Sequence, residues 1–129
     1  MGHPTVADTY FKVKDMNRAV DFYEAFLGVQ AEYRYMERWV SINDRLGLYN
    51  PSYDVHHGVP LTEYDRELRI GNNVVIVFSS DDVDADHERV QSLGATGITE
   101  IIEINLIAPY RFFQFKDPDG NIVEVGRMG

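Results

Sequence analysis

The sequence predicts an α+β fold: two βαβββ repeats that form a curved, cleft-enclosing mixed sheet with the helices outside. Three observations carry this reading. Each half of the chain opens with a β-rich run, VADTYFKVK and then VVIVF. Each run leads into an aspartate, a helical stripe and a closing glycine, Asp15 to Gly28 and Asp82 to Gly94. Three more short β-rich runs follow each helix. The two copies are offset by about 67 residues, and recurrence of a whole unit at fixed spacing marks a repeat. Four strands and one helix make a sheet covered on one side, and two such sheets placed edge to edge extend around a common cleft.

The elements follow in order. VADTYFKVK alternates in the manner of a strand. Asp15 is the N-cap of a helix whose apolar stripe is Met16, Ala19, Val20, Tyr23 and Phe26, and Gly28 is its C′ residue. Residues 30–36, 38–42 and 45–50 read as three strands, with Asn43-Asp44 as a tight turn between the last two. From 51 to 72 two prolines, paired histidines and many charges lack steady periodicity, which predicts a long loop or lid. Residues 74–78 (VVIVF) are then expected as a strand buried on both faces. Asp82 caps a helix with the stripe Val83, His87, Val90 and Leu93, closed by Gly94. Residues 98–104, 110–116 and 121–126 complete the second set, with Asp117-Pro118-Asp119-Gly120 as the turn between the last two. Repeat one thus spans about 5–50 and repeat two about 73–127 of one domain over residues 1–129.

Composition limits the function. The chain has 129 residues, 44% of them hydrophobic, enough for one ordinary globular domain. Twelve basic against twenty-one acidic residues give a net charge of −9, which repels phosphate backbones and anionic lipid, so no nucleic-acid or membrane partner is expected. No apolar run reaches the ~20 residues of a membrane span, and the opening MGHPTVADTY lacks the layout of a signal peptide. A cytoplasmic location is therefore expected. The chain contains no cysteine, which rules out disulfides, thiolate metal sites and a cysteine nucleophile. Nor is there a Gly-rich phosphate loop or a G-x-S-x-G elbow.

Two stretches, DMNRAVDFYEAFLG and FKDPDGNIVEV, resemble the signature segments of the vicinal oxygen chelate superfamily. That superfamily includes glyoxalase I, extradiol dioxygenases and bleomycin- or fosfomycin-resistance proteins. The resemblance covers nearly the whole chain. It implies paired βαβββ modules, a homodimer and, in the enzymes, one divalent metal in the cleft. The metal ligands of those enzymes come from one position on the first strand and one on the last strand of each module. Carried over residue by residue, these positions are Asp8, Val75, Gly47 and Glu124. Val75 and Gly47 offer no donor, whereas a transition-metal site wants three or four His or carboxylate ligands. Two carboxylates alone hold Mg²⁺ only loosely. No cofactor is therefore expected; the alternative is one divalent metal on Asp8, Glu124 and His56 or His57.

Strand alternation independently puts Asp8, Tyr10 and Lys12 on one face and Phe11 and Val13 on the other, toward the helix. Glu124, alone among valines and isoleucine, is the candidate catalytic residue. It reads either as a ligand or general base, or as a carboxylate paired with Arg111 or Lys12. His87 lies on a helical stripe and reads as a hydrogen-bonded residue at the core edge, while His56-His57 read as a solvated loop pair or a lid base. Tyr10, Trp39, Tyr49, Arg111 and Phe113 are expected on the cleft side or its rim, where flat apolar surface with one guanidinium suits a planar or anionic small molecule. The other reading of Trp39 and Phe113 is core or dimer interface. The function expected is metal-independent binding of an aromatic or cationic compound by a homodimer; the alternative is a metal-dependent lyase or dioxygenase of the glyoxalase type.

Overall fold

The computed structural model describes residues 2–67, 73–116 and 122–129. Its contacts divide the chain into two compact units, residues 8–74 and residues 75–129 together with 1–7. Each unit carries one βαβββ repeat. The DPDG turn and the end of the expected 51–72 loop lie outside the described residues.

The first unit contains β1 (Thr5–Lys12, from Asp8 on), α1 (Met16–Leu27), β2 (Tyr33–Tyr35), β3 (Trp39–Ile42) and β4 (Leu46–Tyr49). Its strands lie in the order β2-β3-β4-β1. β1 runs parallel to β4, and the other neighbours are antiparallel. The caps stand where the sequence puts them: Asp15 accepts from the Arg18 amide, and Gly28 takes φ 68° and donates to the Glu24 carbonyl. The Asn43-Asp44 turn has both residues at positive φ. Met16 and Val20 of α1 pack on Val40 and Leu48, with Phe11 and Tyr23 around them. That contact fixes which sheet face is covered.

The expected loop from 51 is instead partly helical: α2 (Pro51–His57) and α3 (Glu63–Arg66). The Asn50 side chain accepts from the Ser52 amide, Pro51 fills the first turn, and Gly58 closes α2 at φ 67°. Thr62 caps α3 by accepting from the Asp65 amide. Helices this short carry too few turns for a periodic stripe, which is why only their caps betray them in the sequence.

The second unit contains β5 (Val74–Ser79, from Val75 on), α4 (Val83–Val90), β6 (Ile102–Asn105), β7 (Pro109–Lys116) and β8 (Ile122–Met128), in the order β5-β8-β7-β6. Asp82 caps α4 by accepting from the Ala85 amide. The helix ends at Val90 in tightened turns, Ser92 to Arg89 and Leu93 to Val90, before Gly94 at φ 82°. β5 alternates rather than being buried on both faces: Val75 and Val77 are buried, Val74 and Ile76 exposed. Residues 98–101 run beside β7 without a regular ladder, held by the Thr99 amide on the Gln114 carbonyl. Ile98 and Ile101 nevertheless pack into the core of Val83, Val90, Phe113 and Val125.

This core corrects the phase of β7. Phe113 lies wholly buried against α4, and Arg111, two residues away on the same face, pairs with Asp84 of α4 at 2.7 Å. Both therefore point to the helix side, not to the face shared by Gln114 and Glu124. β7 has aromatics on both faces, so their alternation alone does not phase it.

Candidate functional site

The sheet face of the first unit opposite α1 carries Tyr10, Lys12, Trp39, Ser41, Gly47 and Tyr49. Cross-strand pairing sets Tyr10 beside Gly47 and Lys12 beside Tyr49. Trp39 pairs with Tyr49 and lies diagonally across Gly47; a Cβ on Gly47 would collide with the indole and stand 3.0 Å from the Tyr10 Cβ. Tyr10 meets both Trp39 and Tyr49 edge-on, with centroids 5.6 Å apart in each case. The indole N–H donates to the Ser41 hydroxyl at 2.8 Å. Trp39 is half-buried, while Tyr10 and Tyr49 are buried.

A charged network closes the end of this face. Arg38 grips Asp54 of α2 with two bonds, Nε to Oδ1 at 2.6 Å and Nη2 to Oδ2 at 3.0 Å. The Tyr49 hydroxyl donates to Asp54 Oδ2 at 2.6 Å, and the Arg38 guanidinium sits 5.1 Å over the Tyr49 ring. Lys12 Nζ donates to the Tyr64 carbonyl at 2.8 Å and pairs with Asp65 at 3.4 Å. Burial, then the Asp65 and Asp54 carboxylates, push the Tyr49 hydroxyl far above the ordinary tyrosine range. Sequence reasoning missed Arg38, Asp54 and Asp65. The Asn50-Pro51 cap was the available signal that their segment folds back as structure.

In the second unit Glu124 is buried on the face away from α4. Tyr110 donates to its Oε2 at 2.7 Å, and the Gln114 amide donates to its Oε1 at 2.7 Å. Gly126 makes this possible: Tyr110 lies across it, with Cζ 2.5 Å from where a Cβ would stand. Tyr110 also stacks on Phe112, centroids 5.2 Å apart. Within this unit Arg111 pairs with Asp84 and Glu103; in the first unit Lys12 pairs with Asp65.

The remaining candidates are dispersed. His56 and His57 lie on α2, exposed, each bonded through Nδ1 to a carbonyl four residues back, and His57 stacks on Tyr53 at 3.8 Å. His87 bonds the Thr99 carbonyl at 2.8 Å and meets Phe113 edge-on, as a residue at the core edge. Asp8 is half-buried in the first unit, and that burial raises its carboxyl above the usual range, against Arg45. Beside Arg111 and Arg127, a shallow pocket of about 200 Å³ is lined also by Asp81, Asp82, Asp84 and Glu103.

Of the four positions that the resemblance gives to metal ligands, Gly47 and Val75 carry no donor atom. In the first unit Trp39 fills the space beside Gly47; in the second Val75 is apolar, and Glu124 accepts from Tyr110 and Gln114. Among the described residues no group of three or more His, Asp or Glu is placed to hold a metal ion.

The pattern of the Glyoxalase/Bleomycin resistance protein/Dioxygenase superfamily matches residues 5–125. No curated protein matches the sequence. Among solved structures, a methylmalonyl-CoA epimerase from Streptomyces coelicolor aligns with TM-score 0.65 at 19% identity, covering 97% of this chain and 98% of that one. A glyoxalase/bleomycin resistance protein/dioxygenase superfamily member from Vibrio splendidus aligns at 0.62 and 17%, covering 97% and 99%. A Legionella pneumophila structure described as an NAD-dependent benzaldehyde dehydrogenase aligns at 0.65 and 16%, covering 94% and 97%. At these identities the likeness is one of fold, and one fold hosts many chemistries.

Proposed function

Since the chain belongs to the Glyoxalase/Bleomycin resistance protein/Dioxygenase superfamily, we propose that it is a metal-independent small-molecule-binding protein, taking an aromatic or cationic compound on the sheet face opposite its helices. One observation carries the reading: the indole of Trp39 occupies the space of a side chain at Gly47, the position to which the resemblance assigns a metal ligand. An aromatic wall stands in place of a donor. Tyr10, Trp39 and Tyr49 favour a flat ligand, and the net charge of −9 favours a cationic one.

A cytoplasmic homodimer is the assembly we propose with it. Among the described residues β2 and β6 stand at the ends of the strand order, and Phe22 and Phe26 stand exposed and stacked on α1. Light scattering should give twice the chain's 14.8 kDa; a monomer at micromolar concentration refutes that part.

The deciding experiment is elemental analysis of protein purified without added metal, followed by titration of Trp39 emission with planar compounds. Far less than one equivalent of transition metal, with emission that shifts on binding, is expected. Stoichiometric metal, lost together with a catalytic turnover in Glu124→Gln, would instead establish a metal-dependent lyase or dioxygenase using Asp8, Glu124 and His56 or His57.

A further inference from the structure

The aromatic wall is partly taken by the chain itself. Tyr49 is 5% exposed; Arg38 covers its ring and Asp54 accepts from its hydroxyl. The two cations flanking Tyr49 are each held by an acid from the α2–α3 segment, Arg38 by Asp54 and Lys12 by Asp65. These acids are 0% and 2% exposed. Burying two such pairs costs desolvation that an apolar cover would avoid, so the arrangement is not explained by stability alone. A fork-like guanidinium, a phenol hydroxyl and a nearby ammonium are instead the donor set that recognises a carboxylate.

We propose that residues 51–67 form a self-occupying lid, in which Asp54 and Asp65 hold the place of a ligand's acid group, and that the compound bound beneath is an aromatic carboxylate. This rests on the aromatic arm of the function proposed above and decides against the cationic one. The ligand's carboxylate takes Arg38 and the Tyr49 hydroxyl from Asp54, while its ring lies against Trp39. Release of Lys12 from Asp65 lets the segment lift. Because a closed lid competes with the ligand, apparent affinity is reduced by the fraction of molecules that are open. Weakening one latch removes part of that penalty.

The test uses the full chain and three probes: benzoate, benzyl alcohol and benzylammonium, followed by calorimetry and Trp39 emission. Benzoate is expected to bind at least roughly tenfold more tightly than the other two, and Asp65→Asn to tighten benzoate by roughly tenfold by raising the open fraction. On the unmodified protein, amide hydrogen exchange over Ser52–Gly58 should accelerate when benzoate is added, which keeps the test decisive should the variant fail to fold. Equal or tighter binding of the neutral or cationic probe overturns the lid proposal alone. So does exchange that slows or stays unchanged, or a folded Asp65→Asn with unaltered benzoate affinity. If none of the three probes binds, the aromatic-ligand reading falls with it.

Discussion

The indole of Trp39 lies in the space that a side chain on Gly47 would need. The two residues sit diagonally across β3 and β4, where Ser41 is the direct partner of Gly47. The second unit repeats the device with Tyr110 and Gly126 across β7 and β8, where Phe112 is the direct partner. Glycine has no Cβ, so an aromatic ring can cross the strand at that point and reach a residue farther along. Trp39 reaches Tyr10 in one case, and Tyr110 reaches Glu124 in the other.

Gly47→Ala should therefore evict Trp39. Inserting a methyl group into a filled site costs about 1–3 kcal/mol. A lower melting temperature and a red-shifted tryptophan emission are expected, read cleanly because the chain has one tryptophan. Unchanged emission would mean that the ring is not held over Gly47.

Tyr110→Phe removes one donor from a buried carboxylate while keeping the ring that stacks on Phe112. The loss is about 1–3 kcal/mol. Gly126→Ala should cost more, since it displaces the same hydroxyl and also crowds the strand. Denaturant midpoints measured at constant m-value check the order, and a harmless Gly126→Ala would contradict it.

Alkaline pH should weaken the first unit through Tyr49. Its hydroxyl is pushed up by burial and by the facing Asp65 and Asp54, so above the ordinary tyrosine value of 10.0 the unfolded chain releases a proton that the folded chain keeps. Stability then falls as pH rises past that value. Tyr49→Phe should be less stable at neutral pH, having lost its bond to Asp54, but should lose less stability between neutral and strongly alkaline pH. Equal alkaline slopes in the two proteins would refute this.

Asp8 gives a test of the same sign at acid pH. Burial raises its carboxyl above the ordinary 3.8, with Arg45 opposing. The folded state then holds its proton longer, and stability declines as pH rises from the unfolded value through the raised folded one. Asp8→Asn is thus expected to melt higher than the parent at neutral pH and to match it below both values. A lower melting temperature at neutral pH would assign the charge a stabilising partner.

Chelation is the simplest test of all. A metal bound only to the folded state adds stability by mass action, so its removal lowers the melting temperature. With Gly47 and Val75 lacking donors, excess chelator should leave the melting temperature unchanged within error. A clear drop restores a metal to the site.

Much of the architecture was legible from local chemistry. Asp15, Asp82 and Gly28 act through short-range bonds to their own helices, and that locality is why their spacing exposes the repeat. The loss of donors at Gly47 and Val75 is likewise plain in the sequence. The phase of β7 was not: Tyr110 and Phe112 share one face while Phe113 and Phe115 share the other, and only packing on α4 selects which is covered. Nor was the closure of the first unit's aromatic face. Arg38 finds Asp54 sixteen residues on, and Lys12 finds the Tyr64 carbonyl across 52. Charges separated by such lengths of chain have no periodic signature; they meet only because folding desolvates them together, and burial then leaves each to be satisfied by the other.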